Sequence, residues 1–318
     1  DYIPKEYIYH GDSIVNLFFT HKKGKGSFIN YKIHLSNGSA ERNGFNGSNR
    51  LKLSNFDVLG NSLFSAGLVK PNALSYTAQA LYTVTLVPII FNHKVYSIKP
   101  QIHIYNTVSK ESKLVKPDMD GSCEILATQV DQNNGTYMIL VKQYKNRESS
   151  LYWLVYNEAG EEIANNQLNG LNVQNILSCD ITFTSTNETL LIGTYNYAKE
   201  SRRQSVATYT DGVFISKIKN ATVDFVKFHP YSKLTNAFRY LEQHQMVRFK
   251  EKSRKGKEAD LGFDLFMHPN VISSDSQYIM VGEVYYPEYH LESHYDVRGY
   301  WMYEEVFDGY NYTHGIAI

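Results

Sequence analysis

The densest run of ligating and proton-transferring side chains is Pro287-Glu288-Tyr289-His290-Leu291-Glu292-Ser293-His294-Tyr295-Asp296. On a strand, Glu288, His290, Glu292 and His294 would share one face, because side chains alternate across the pleat. On a helix, His290 and His294 would share a face instead. Either arrangement offers His290 and His294 as ligands for a metal ion such as zinc. The spacing is not that of an H-E-x-x-H metalloprotease helix, because Glu292 follows His290 by two positions. The competing reading is a long polar hairpin between Val284 and Trp301, holding no metal and no other cofactor.

Aromatic residues crowd the same region: Tyr285, Tyr286, Tyr289, Tyr295, Tyr300, Trp301, Tyr303, Phe307, Tyr310 and Tyr312. Aromatic side chains on a connection stack on sugars or anchor a protein partner. The expected partner-binding set is therefore Tyr285, Tyr286, Tyr289, His290, Tyr295, Trp301 and Tyr310. The plainer role for these rings is to pack the connection onto the neighbouring sheet. Elsewhere chemistry is sparse. There is no glycine-rich phosphate loop, no G-x-S-x-G elbow and no Cys–His pairing, so no catalytic residue is assigned and the chain reads as a non-enzyme. A carboxylate pair for glycoside cleavage is left open, since its spacing of roughly 5–10 Å is a property of the fold.

These segments need elements to hold them. The chain has 318 residues, 42% hydrophobic and 20% charged, which is globular composition. With 32 Lys+Arg against 32 Asp+Glu, it is not a general binder of nucleic acid. The basic run Arg248 to Lys257 is diluted by Glu251 and Glu258 and reads as a solvated insertion. Its longest apolar stretches, such as Leu86 to Phe91, fall far short of the roughly 20 residues of a membrane helix, so no transmembrane span is expected. Tyr is unusually frequent, 26 residues, and favours half-buried strand positions.

Strand-length runs recur between turn signals: Ser13 to Phe19, Leu81 to Leu86, Tyr137 to Val141. Leu151 to Tyr156 turns through Asn157–Gly160 into Glu161 to Ile163. Val206 to Tyr209 turns through Asp211-Gly212 into Val213 to Ile218. The motif Ser-Cys-acid-Ile occurs at Cys123 and again at Cys179, an offset of 56 residues. Leu190 to Tyr197 is echoed by Ile279 to Tyr286, an offset of 89 residues at Gly193 and Gly282. Each unit reads as four antiparallel strands, which implies an all-β fold, a β-propeller, rather than a sandwich. One propeller-like domain is expected over 1–318, with a helical, Lys-rich insertion over 222–257, where Leu234, Phe238 and Leu241 have helical spacing. The first 110 residues show no clear register with the repeat. The start at Asp1 reads as loss of a leader peptide or a trimmed start, and Thr313 to Ile318 reads as a strand that continues. The two cysteines read as small buried residues, with a single bridge as the other option.

Leu190 to Tyr197, Ile279 to Tyr286, Phe307 to His314 and the Lys-rich insertion resemble uncharacterised extracytoplasmic β-propeller-like proteins of Bacteroidota. The resemblance covers roughly the last two thirds of the chain. It implies a cell-envelope location, periplasmic or associated with the outer membrane. Some envelope proteins of that group are subunits of large machines; one is the plug that closes the type 9 secretion translocon. The expected function is an accessory, non-catalytic subunit of an envelope complex that binds a protein partner. The alternative is a propeller that binds or cleaves carbohydrate.

Overall fold

The structure is a computed structural model that describes residues 2–10, 13–22, 26–46, 51–69, 98–145, 148–171, 175–183, 188–196, 211–230, 247, 270–274, 277–295 and 301–317. Runs rich in Val, Ile, Phe and Tyr become strands, as β propensity dictates. The first sheet is β1 (Tyr2–His10), β2 (Ile14–His21), β3 (Phe28–His34) and β4 (Ala40–Phe45). The second is β5 (Leu51–Leu59), β6 (Ser62–Val69), β7 (Lys99–Asn106) and β8 (Ser112–Val115). The third is β9 (Ser122–Asp131), β10 (Thr136–Lys145), β11 (Glu148–Asn157) and β12 (Glu162–Gln167). The fourth is β13 (Asn175–Phe183), β14 (Thr189–Asn196), β15 (Gly212–Lys219) and β16 (Thr222–Pro230). The fifth holds β17 (Asn270–Ser274), β18 (Gln277–Tyr295) and β19 (Trp301–Ala317). Within every sheet the strands neighbour one another in chain order. Successive meanders of this kind are the blades of a β-propeller.

The chain divides into two compact units, Asp1–Asn172 with Asn220–Thr222, and Val173–Lys219 with Val223–Ile318. In the first unit, one apolar core joins Phe18 and Phe28 of blade 1 to Leu51, Leu53, Phe56, Val58 and Leu63 of blade 2. A second joins Phe64, Ile102 and Ile104 of blade 2 to Tyr137, Ile139, Val141, Leu154 and Tyr156 of blade 3. A single sheet cannot bury both of its faces; stacking blades buries them. In the second unit, Leu190, Leu191, Ile192 and Tyr195 of β14 and Val213 and Phe214 of β15 are fully buried or nearly so.

The first strand of each four-stranded blade carries one unpaired extra residue. The register skips Lys5 in β1, Ser54 in β5, Leu126 in β9 and Leu177 in β13. Such a bulge bends the strand and re-aims the side chains that follow it. The repeat is thus clear in the first 110 residues as well, where it was not legible in the sequence. The Ser-Cys echo falls on the first strands of successive blades. Its two copies are out of step with the bulge, however: Cys123 precedes Leu126 while Cys179 follows Leu177. The Leu190/Ile279 echo falls on β14 and β18, the second strands of blades 4 and 5. Cys123 and Cys179 are both buried and free, and burial pushes the Cys123 thiol up to about 11.

The helical reading of 222–257 is corrected over Thr222–Pro230. Thr222–Pro230 is the fourth strand of its blade, pairing beside β15. Its β-branched and aromatic residues suit an edge strand, and the i, i+4, i+7 spacing that prompted the helix begins only at Leu234. Leu234, Phe238, Leu241 and the basic run lie outside the described residues. The hairpin at Asn157–Gly160 forms as read, joining β11 to β12. Gly212 opens β15 rather than a tight turn: it pairs with Tyr195 of β14, and Val206 to Tyr209 lie outside the described residues, as do Leu81 to Leu86. Among the described residues, no helix is long and apolar enough to cross a membrane.

Candidate functional site

All seven expected partner-binding residues fall on one element pair. Antiparallel pairing matches Tyr295 to Trp301, His294 to Met302, His290 to Val306, Tyr289 to Phe307, Tyr286 to Asn311 and Tyr285 to Tyr312, and it sets Pro287 against Tyr310. The segment is therefore a strand, not a helix. β17 covers only Gln277 to Val281 of β18. From Gly282 to Tyr295 the sheet continues, among the described residues, as a two-stranded ribbon of β18 and β19. At about 3.4 Å per residue it runs on the order of 45 Å.

The ribbon tip has apolar side chains in water on both faces. Leu291 (66% exposed), Trp301 (53%) and Tyr303 (69%) share one face by strand alternation, and Met302 (48%) lies on the other. Scattered single apolar residues are ordinary on a surface, whereas four on one narrow ribbon are a patch.

His290 is placed by a second device. The β18–β19 register skips Asp308, so Asp308 is a bulged residue beside Gly309, whose φ is +138°. The bulge lets Asp308 reach across: its Oδ1 lies 2.5 Å from His290 Nδ1. On the other side Glu292 Oε1 lies 3.3 Å from His290 Nε2. Hydrogen bonding to the Asp308 carboxylate, then to that of Glu292, holds the imidazole pKa above its usual value. Both ring nitrogens of His290 thus lie against carboxylate oxygens. Among the described residues, no group of three His, Cys, Asp or Glu side chains is disposed to hold a metal ion, and His294 joins neither carboxylate contact of His290.

A second cluster lies on the first strands of blades 1 to 3, and the sequence does not reveal it. Glu6, the residue after the β1 bulge, accepts the Phe56 backbone N–H at 3.3 Å. Asp57 of β5 accepts the Thr128 hydroxyl of β9 at 2.8 Å. Burial first, with the Glu6 charge adding, pushes the Asp57 carboxyl up to about 7, although the Thr128 hydrogen bond opposes the rise. The Tyr137 hydroxyl is fully buried beside Asp57 and Thr128 without a well-formed hydrogen bond. Only the signal that a carboxylate follows a bulge could have marked Glu6, and bulges are not readable from one sequence.

A third polar group runs through the blade 1–blade 2 core. Asn16, Asn30 and Asn43 are buried across β2, β3 and β4, and they face buried Ser65 and His103 of blade 2. Asn30 donates to Asn16 at 3.2 Å, and Lys110 donates to Asn43 at 3.0 Å. Among the described residues, Ser65 Oγ and both His103 nitrogens have no hydrogen-bond partner. His103 stacks edge-on against Phe45, ring centroids 4.4 Å apart, and burial lowers its pKa to about 4. The neutral ring therefore persists well into acid.

No family model and no curated protein matches the sequence. Among solved structures, the chain is similar to a chimera of the apocarotenoid oxygenase ACO and RPE65, with TM-score 0.46 and 8% identity, over 89% of this chain and 56% of that one. It is also similar to the β-propeller domain of the Trilobed protease from Pyrococcus furiosus, with TM-score 0.41 and 8% identity, over 89% of this chain and 64% of that one. A protein of unknown function from Dyadobacter fermentans matches with TM-score 0.43 and 10% identity, over 89% of this chain and 75% of that one. The chain thus spans less than two thirds of the length of the first two. At these identities and scores the likeness carries no argument about function.

Proposed function

We propose that this propeller is a non-catalytic binding protein, an accessory subunit of a cell-envelope complex, that docks a protein partner through the β18–β19 ribbon. The observation that supports this is the exposure of Leu291, Trp301, Met302 and Tyr303 on a two-stranded ribbon with water on both faces. Exposed aromatic residues of this kind serve as interface anchors. The envelope location rests on the resemblance at Leu190 to Tyr197, Ile279 to Tyr286 and Phe307 to His314. The test is in-cell crosslinking followed by purification, comparing the native chain with Trp301→Ser/Tyr303→Ser. The expected result is one specific crosslinked product from the envelope fraction, lost in the variant while its circular dichroism is unchanged. The reading fails if the product survives the substitutions or is found in the cytoplasmic fraction.

A second reading, glycan binding or cleavage, is favoured by the Glu6–Asp57 pair. One acid protonated near neutrality beside another carboxylate is the kind of pair that glycoside hydrolysis uses. Screening against immobilised glycans and chromogenic glycosides tests it; no binding and no turnover removes it.

A further inference from the structure

The ribbon has an open side. Among the described residues β19 pairs with β18 alone. Among the described residues blades 1 to 4 each have four strands, whereas the fifth sheet has three. A bare strand edge is a template for another strand, and proteins guard such edges with proline, lysine or bulges. The opposite edge, on β18, contains Pro287, which has no N–H to offer. Near its base β19 is guarded by the bulges at Asp308 and Thr313. Toward the tip, Met302-Tyr303-Glu304-Glu305-Val306-Phe307 runs in unbroken register with Tyr289 to His294. That segment contains no proline, lysine, arginine or glycine.

Charge selects the occupant. Neither β18 nor β19 contains a lysine or arginine, while together they carry Glu283, Glu288, Glu292, Glu304, Glu305 and Asp308. A second copy of this chain, pairing antiparallel about Glu304 or about Glu305, would set that residue against its own equivalent, and like charges facing across strands are destabilising. A basic strand meets the opposite situation. We infer that the Met302–Phe307 edge is a strand-addition site that takes an extended, lysine- or arginine-bearing segment of the partner protein. The inference rests on the docking reading above and specifies what docks. Backbone hydrogen bonds along the edge supply affinity, and the acidic side chains choose the strand.

The chain contains two tryptophans. Trp153 is buried, while Trp301 stands next to the edge and reports on it by fluorescence. The probes are capped peptides of about eight residues, the length of an ordinary strand: alternating Lys–Val, alternating Glu–Val, and Lys–Val N-methylated at every second residue. The expected result is saturable binding of Lys–Val alone, at least about tenfold weaker after N-methylation and in Glu304→Lys/Glu305→Lys, which corresponds to about 1.4 kcal/mol or more. Equal binding of the N-methylated peptide overturns strand addition, because it shows charge attraction without backbone pairing. Equal binding of Glu–Val, or no binding of any peptide, also overturns it. So does a concentration-dependent dimer in sedimentation that Glu304→Lys/Glu305→Lys abolishes, which would name a second copy as the occupant. If the crosslinked partner still depends on Trp301 and Tyr303 while the peptides fail, docking stands and strand addition falls. If both fail, the ribbon is not the docking surface.

Discussion

Replacing Asp57 by Asn isolates the energetic consequence of the buried acid. In the folded chain the Asp57 carboxyl titrates near 7 rather than at 3.8, with burial as the main cause and the Glu6 charge adding to it. The folded state therefore holds a proton that the unfolded state has already released. Stability from this group is complete below about pH 4 and is lost as pH rises toward and through 7. A shift of about three units at 1.36 kcal/mol per unit costs the native protein up to about 4 kcal/mol at pH 8. Asparagine keeps an oxygen for the Thr128 hydroxyl, which now donates at 2.8 Å, and it carries no charge to desolvate. Asp57→Asn is expected to stabilise the fold by up to about 4 kcal/mol near pH 8 and by close to nothing near pH 4. Urea unfolding followed by far-ultraviolet circular dichroism at the two pH values measures this. Equal shifts at both values, or destabilisation near pH 8, would refute the reasoning: the carboxylate would then be ionised and held by its neighbours. Glu6→Gln, which removes the like charge, should lower the Asp57 midpoint in the same titration.

His103 works in the opposite sense: its pKa is lowered from 6.5 to about 4, so the chain should lose up to about 3 kcal/mol as pH falls from 6.5 to 4, and His103→Leu should flatten that part of the urea profile once the Asp57 contribution has been removed. His290 should titrate above the usual histidine range in proton NMR, and Asp308→Asn should bring it back down, because the Asp308 contact is the first cause of the rise. Gly193→Ala should cost about 1–3 kcal/mol or more in thermal unfolding, since a Cβ there would lie 1.9 Å from the Ser178 carbonyl oxygen. Oxidant-induced bridging of Cys123 and Cys179 should not occur without unfolding, because both thiols are buried and free and burial raises both pKa values.

Local pattern determined the strands. Tyr137 to Val141, Leu151 to Tyr156 and the Val284–Trp301 hairpin were legible because side-chain alternation and turn chemistry are short-range properties. The repeated sheet was legible through the Leu190/Ile279 echo, which marks the same strand of two blades. The ribbon was legible as a cluster, since all its aromatics lie in two adjacent strands. Pairing across distance was not legible. Thr222–Pro230 joins its blade because β15 offers it an edge, and no local periodicity announces such a partner. Glu6 meets Phe56, and Asp57 meets Thr128, only because first strands of successive blades lie side by side, after bulges that a single sequence does not mark. That Asp308 meets the His290 ring was not legible either, because the bulge that brings the two together is a property of the β18–β19 pairing. The sequence by itself determined which segments are extended and which are rich in aromatics. Tertiary structure alone decided which charges share a low-dielectric space, because burial and proximity are set by how blades stack and not by the order of residues along a strand.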